Sequence, residues 1–475
     1  MALAAPHGSA VDAGRTAVAA GGNALDAALA AAAALTVVYP HQCSIGGDLI
    51  AMVRTADGRV RTVLSAGAAA AAFDADALRA SGATRMPTYG PLPVTVPGVV
   101  AGWTGIAGLG ARLGRDAIMR PAVAYARDGV AVSPGLARAL RDEADRVAAD
   151  PGLSGIFAGE RLVQPALAES LEAIAEDWES FYRGPLGEKL AAGFKNFGSP
   201  LTADDLAAHR AEIVEPLVAR RYGADWYAAP PPSQGATFLA VLGSDDLLRG
   251  SLAARRARDA LLGDPRTGPI DVNGLMNPGK GAEGESGAED SDGHGDTVAV
   301  TAVDSDGLAV SLIQSNFHGF GAGLLDPGTG IVLHNRGSMF SLDPAHPGRA
   351  TPGSRPPHTL CPVIAVRGDT VLALGCQGGR SQPWILAQAA HEALDGDPAT
   401  AAGRPRWIID GAALVLEPGI PDATGLAAAA HGLGLTVTTM PDLHDGAGHV
   451  QVARLRGSHL DAAADPRADG RGTVA

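Results

Sequence analysis

Gly295-Asp296-Thr297-Val298-Ala299-Val300-Thr301-Ala302-Val303-Asp304 is the stretch on which the reading of this chain turns. A polar, Gly-rich run ends at Gly295-Asp296, and an alternating apolar strand begins at Thr297. Asp304-Ser305-Asp306-Gly307 reads as a turn, and Leu308 to Ser315 as a second strand. Two apolar runs joined by an Asp/Gly turn predict a β-hairpin. Folding about the turn centre sets Thr297 opposite Gln314, within a residue of Ser315, so that two hydroxyls come close. A Thr that opens a strand after a pliable segment is either an ordinary loop-to-strand junction or a residue placed for self-cleavage. Its hydroxyl can attack the preceding carbonyl, and hydrolysis of the resulting ester frees a new N-terminal Thr. The α-amine so formed titrates near 7.7–8.0 in unperturbed form, suited to act as base for its own hydroxyl.

Upstream of this point the chain is rich in helix. Residues 9–20 and 23–38 read as two Ala-rich helices, with Asn23 as N-cap and Asp26 in the first turn. His41 to Asp48 reads as a loop, followed by a hairpin whose strands are Leu49 to Thr55 and Val60 to Leu64. Pro91 to Val100 is expected to be extended, residues 103–148 to hold two or three helices, and residues 160–223 to be mostly helical. Pro230 to Gly235 is a stiff loop, with helices to about Leu262. Residues 264–296 are dominated by Gly, Asp, Glu, Ser and Pro and read as a flexible linker. Downstream, Val363 to Val366 and Thr370 to Gly375 form a second hairpin, and Cys376 to Ser381 leads into a helix beginning at Pro383.

Composition narrows the function. The chain carries a net charge of −14, which argues against nucleic acid as a main partner, because phosphate binding needs a basic face. The 475 residues set a loose expectation of about three domains, but large layered folds can form one unit. Aromatic residues are 4% of a chain that is 46% hydrophobic, so the core must be built from Ala, Val, Leu and Ile. Cys43, Cys361 and Cys376 form no CxxC pair and are odd in number, which argues against a disulfide framework or zinc site. The first long apolar run, Ala24 to Val38, is shorter than the roughly 20 residues that span a bilayer. No signal peptide is read at the N-terminus, and a cytoplasmic location is expected. His41, His318 and His358 lack metal-ligand spacing, and Gly319 to Gly323 lacks the strand–helix context of a phosphate loop. Gly378-Gly379, at a strand-to-helix turn, could supply an oxyanion hole from backbone N–H groups.

Several stretches, in this order and spacing, resemble the γ-glutamyltransferase family of N-terminal nucleophile hydrolases. They are GGNALDAALAAAAAL (21–35), YPHQCSIGGD (39–48), VPGVVAGW (96–103), PPPSQG (230–235), GDTVAVTAVDSDGLAVSLIQS (295–315), FGAGLLDPGTGIVLHNRG (320–337), RPPHTLCPV (355–363), GCQGGRSQ (375–382) and RPRW (404–407). The resemblance implies an α+β fold, an αββα sandwich of two stacked sheets between helical layers. It implies a zymogen cut between Asp296 and Thr297 into a large subunit (1–296) and a small catalytic one (297–475). Thr297 then stands as nucleophile, Ser315 as the hydroxyl that holds it, and Gly378 and Gly379 at the oxyanion hole.

Departures from the family pattern bear on the substrate. Val298-Ala299 replaces the usual Thr-His after the nucleophile. The family's carboxylate-binding Arg is missing from Leu64 to Ala69, Met339 stands at the ammonium-binding Asp, Phe317 near an Asn, and His358-Thr359 at a Ser-Ser pair. Each lost clamp removes a charge-assisted hydrogen bond worth about 1.5–3 kcal/mol. Arg336, His358, Thr359 and Arg380 are then candidates for binding substrate. The expected activity is that of a glutathione hydrolase-like amidase or acyltransferase acting on a small amide. The alternatives are an acylase-like or oxamate-hydrolase-like amidohydrolase, or a binding protein without turnover. No metal or organic cofactor is implied.

Overall fold

In a computed structural model, residues 1–157, 159, 161–279 and 295–475 are described. The quoted stretch forms the strand Asp296–Val303, an interior strand of a seven-stranded antiparallel sheet. It pairs on one side with Ala2–Ala5 and on the other with Ala309–Phe317. Asp48–Arg54, Val60–Ser65 and Glu212–Val214 continue the sheet beyond Ala309–Phe317, and Arg471–Val474 closes its other edge. Sequence-distant segments are thus interleaved in one sheet.

A six-stranded sheet lies against it, running His459–Ala464, Val450–Arg456, Thr370–Cys376, Val363–Arg367, Ala224–Ala228 and Leu217–Arg221. The alternation of the strands explains the layering, since successive side chains point to opposite faces. Val298, Val300 and Ala302 pack beneath the helical layer of Gly8–Ala19, Ala24–Val38 and Arg115–Asp128. Ala299, Val303 and Ile313 face Ile364 and Ala373 of the second sheet. On that sheet's far side, Val363, Leu372 and Leu374 meet the helices Gly235–Gly243 and Gln382–Asp395. Three apolar layers between helix, sheet, sheet and helix make the αββα sandwich. Ala24–Val38 is buried along its whole length, and its Asn23/Asp26 capping box forms as read.

Four local expectations need correction. The hairpin register places Thr297 directly opposite Ser315, and Gln314 opposite Val298, because the turn spans five residues, Asp304 to Leu308, rather than four. Helix begins at Val99, so only the front of the Pro91 to Val100 segment is extended, and four helices rather than two or three lie between Val99 and Ala149. The end of the 160–223 region turns into the strands Glu212–Val214 and Leu217–Arg221. The expected linker starts too early. Asp264 is 1% exposed and pairs with Arg355 at 2.7 Å, and Leu275 of the helix Val272–Met276 is fully buried. The acidic run Glu283 to Asp292 lies outside the described residues.

Candidate active site

Thr297, Ser315 and Asp48 form one row across three neighbouring strands. Side chains on one row share a face, and here it is the face turned to the second sheet. Ala299 and Ile313, two residues along, line the same intersheet layer. Thr297 Oγ1 donates to Ser315 Oγ at 2.9 Å, and Ser315 Oγ donates to the carbonyl oxygen of Asp296 at 2.7 Å. The hydroxyl that would attack is therefore joined, through one other hydroxyl, to the carbonyl it would attack. Both side chains are buried.

The ladder is broken just beyond Ser315. Phe317 pairs with Asp296 after a register shift and adopts φ 79°. Its N–H donates to Ser315 Oγ at 2.8 Å. The loop 39–48 grips the bulge, with Asn316 N–H on the Gln42 carbonyl and Asn316 Nδ2 on that of Pro40. Gly47 is needed there, since a Cβ on it would lie 2.4 Å from the Ser315 carbonyl oxygen.

Gly378 and Gly379 adopt φ 141° and 52°, conformations that glycine reaches without steric cost. A Cβ on Gly378 would stand 2.5 Å from Ile385. Gly295 packs directly on Gly379: a Cβ built on Gly295 would lie 2.5 Å from the Gly379 Cα. Gly295, two residues before Thr297, therefore lies against the Gly378–Gly379 turn. Gln234, from the Pro-rich loop, braces this turn. Its Nε2 donates to the carbonyls of Thr359 (2.6 Å) and Gly379 (2.9 Å), and its Oε1 accepts from Arg258 at 3.1 Å.

Beneath Ser315 lies a buried charged cluster. Asp48 Oδ2 meets His358 Nε2 at 3.1 Å, His334 Nδ1 at 3.2 Å and Arg336 Nε at 3.5 Å, while Oδ1 accepts from Gly67 N–H at 2.9 Å. Burial alone would raise the Asp48 pKa, but the two histidines hold it well below the usual carboxylate value. His358 is depressed to about 4, first by burial and then by the Arg336 charge. Arg336 is lowered to about 10 by burial against the pull of Asp48. Its other nitrogens donate to Thr359 Oγ1 (2.9 Å) and, in a long contact, to Ser315 Oγ (3.3 Å).

A cavity of about 1170 Å³ opens above these groups. His358, Thr359 and Arg380 line it, as do Phe317 and Met339, and four of these five, all but Arg380, are positions where the family pattern is broken. Arg336 does not; it is fully buried behind Ser315. Arg380 is held by Asp259 at 2.6 Å. Asp296 also reaches the cavity. Burial and the nearby Asp445 and Glu143 push its carboxyl well above the normal range. Among the described residues no cluster of three or more His, Cys, Asp or Glu is arranged to hold a metal, and no helix is long and apolar enough to cross a membrane.

Asp48, His334 and Gln234 are the residues that sequence reasoning passed over. Asp48 carried a signal: it opens a strand whose register with Ala309–Phe317 puts it beside Ser315. All three lie within stretches quoted above for the resemblance.

The sequence pattern of the Gamma-glutamyltranspeptidase family matches residues 10–475. The chain belongs to this family. Among its relatives, the oxamate amidohydrolase proenzyme of Klebsiella pneumoniae is 35% identical, over 98% of this chain and 97% of its own. A glutathione hydrolase-like proenzyme of Bacillus subtilis is 34% identical, over 85% and 84%. The crystal structure of cephalosporin acylase from Bacillus halodurans superposes with a TM-score of 0.88 at 32% identity, over 99% of this chain and 95% of that one. The γ-glutamyltranspeptidase-type chain is thus an enzyme of the amidase or acylase kind with the two-sheet fold described above.

Proposed function

We propose that the enzyme cuts itself between Asp296 and Thr297, and that Thr297 then serves as nucleophile toward small amides bearing a carboxylate, oxamate being the first to try. One observation carries this reading: the unbroken run from Thr297 Oγ1 through Ser315 Oγ to the Asp296 carbonyl. In the cut enzyme the α-amine of Thr297 takes the proton of its own hydroxyl. The hydroxyl oxygen attacks the amide carbonyl, the N–H groups at Gly378 and Gly379 receive the oxyanion, and the amine leaves with a proton. Water or an acceptor amine then releases the acyl group.

Oxamate is named by the Klebsiella relative, which is matched over nearly its whole length. A γ-glutamyl donor fits less well. No Arg lies within Leu64 to Ala69 to take its carboxylate, and Met339 offers nothing to its ammonium. His358, Thr359 and Arg380 on the cavity wall are the proposed binding residues. Arg336 is given a different role below. The three buried, unpaired cysteines support a cytoplasmic location.

The test has two parts. Purified protein should separate into two fragments summing to 47.8 kDa, the smaller beginning at Thr297, and Thr297→Ala should remain intact. The cut enzyme should release ammonia from oxamate and leave glutathione untouched. An intact parent chain, or an intact chain that still turns over substrate, would sink the proposal. A second reading, an acylase for bulky acyl groups, is favoured by a cavity of about 1170 Å³, far larger than oxamate needs, with Phe317, Met339 and Phe340 in its wall. Release of a cephalosporin side chain, without ammonia from oxamate, would decide for it.

A further inference from the structure

Ser315 Oγ has more partners than a hydroxyl can serve at once. A hydroxyl carries one proton and two lone pairs. Here Phe317 N–H (2.8 Å), Arg336 Nη2 (3.3 Å) and the Thr297 hydroxyl (2.9 Å) all point donors at it, while its own proton goes to the Asp296 carbonyl (2.7 Å). Two of the three donors cannot turn away. The Phe317 N–H is fixed by the backbone bulge, and the Arg336 guanidinium is fully buried and held by Asp48 and Thr359. Only the Thr297 hydroxyl can rotate.

Building on Thr297 as nucleophile, we propose that Arg336 is a positioning residue that fixes the direction in which Ser315 donates its proton. With Phe317 N–H it fills the acceptor sites of Ser315 Oγ, so the Ser315 proton must point to the Asp296 carbonyl before cleavage and to Thr297 Oγ1 after it. During self-cleavage Thr297 Oγ1 bonds to the Asp296 carbonyl carbon. The Ser315 proton passes to the former carbonyl oxygen, and the lone pair that this frees on Ser315 Oγ takes the Thr297 proton. The adduct collapses as the proton on the former carbonyl oxygen moves to the Thr297 nitrogen and the C–N bond breaks. Water then hydrolyses the ester, returning the Thr297 hydroxyl and leaving a carboxyl on Asp296. The buried guanidinium stabilises the negative character that Ser315 gains between its two proton transfers. Once the Asp296 carbonyl has departed, the Ser315 proton turns to Thr297 Oγ1. The Thr297 proton is then left to its own α-amine, which is the arrangement turnover needs. Asp48 fixes the guanidinium, so its place in the row beside Ser315 has a purpose beyond packing.

The test is a double-mutant cycle read by the rate of self-cleavage of the full chain on denaturing gels. Arg336→Met should slow cleavage by about tenfold or more. Arg336→Lys, which keeps a charged donor, should recover most of that loss. In a Ser315→Ala background Arg336→Met should add nothing, since Arg336 acts through Ser315. Additive losses in that background, or an Arg336→Met chain that cleaves at the parent rate, would overturn the proposal. If Arg336→Met alone does not fold, Asp48→Asn/Arg336→Met removes both buried charges and enters the cycle in its place. Thr297→Ala keeps the two failures apart. If it still cleaves, the nucleophile assignment is wrong. If it is inert while Arg336→Met is unaffected, only the role of Arg336 is wrong.

Discussion

Asp48→Asn, made in the Thr297→Ala chain so that one uncut species melts, tests the charged cluster. Asp48 is fully buried and has four partners: His358, His334, Arg336 and the Gly67 N–H. An Asn keeps an acceptor for some of them but leaves the Arg336 charge uncompensated in the interior. Breaking a buried pair on one side costs about 3–5 kcal/mol. Unfolding entropy of about 2 cal/mol/K per residue gives about 1 kcal/mol/K for 475 residues. The melting temperature at pH 7 should therefore fall by about 3–5 °C. The pH dependence has a definite sign. The Asp48 pKa is depressed on folding, so its stabilisation is fully present above the unfolded value near 3.9 and fades as pH falls through the lower folded value. The gap between parent and variant should be the same at pH 7 and pH 5, as read by differential scanning calorimetry. A variant melting within about 1 °C of its parent at pH 7, or a gap that vanishes by pH 5, would refute the view that Asp48 is ionised and balances Arg336.

Gln234→Ala should lower kcat/KM by about tenfold, because it frees the carbonyls of Gly379 and of Thr359 on the cavity wall from their brace; steady-state kinetics decide. His41 is depressed to about 3, and His209, His318 and His358 to about 4, in each case chiefly by burial. Unfolding therefore takes up protons between pH 6.5 and pH 4, and stability should fall with acid by up to about 5 kcal/mol per pH unit near pH 5, measured by urea titration. Asp296→Asn in the Thr297→Ala chain should raise the melting temperature at pH 7. The raised Asp296 pKa means that its stabilising, neutral form is lost as pH rises through the folded value, and the amide removes that loss.

Much of the site was legible because it lies on a hairpin. Alternation along Thr297 to Val303 and Leu308 to Ser315 fixes which side chains share a face, and a one-residue error in the turn moved the partner only from Gln314 to Ser315. The Gly378–Gly379 turn was legible from glycines placed between a strand and a helix. The charged cluster was not, because Asp48, the pair His334 and Arg336, and His358 come from three separate segments and meet only through tertiary packing. An Arg in a Gly-rich loop suggests an exposed anion binder, whereas Arg336 is sealed beneath the hairpin. The start of the linker failed for the same reason. Composition shows Asp264 in a polar stretch, but not Arg355, which reaches it from 91 residues away.

The distance between Thr297 and the Gly378–Gly379 turn is set chiefly by small residues. The strands Asp296–Val303 and Thr370–Cys376 face each other from different sheets. Gly375 sits over Ala299, so closely that a Cβ on Gly375 would lie 3.2 Å from that of Ala299 and 3.0 Å from Ser311 Oγ. Ser311 adds a hydrogen bond across the gap, to the Leu374 carbonyl at 2.9 Å. Thr297 is two residues from Ala299, and Gly378 three residues from Gly375. With both spans short and one of them regular strand, the approach of the sheets at this contact fixes where Thr297 stands relative to Gly378 and Gly379. A core poor in aromatics is therefore suited to the chemistry proposed for Thr297. Facing sheets packed through Ala and Gly can bring a backbone turn near a strand's first residue, whereas larger side chains at the same positions would hold the two apart.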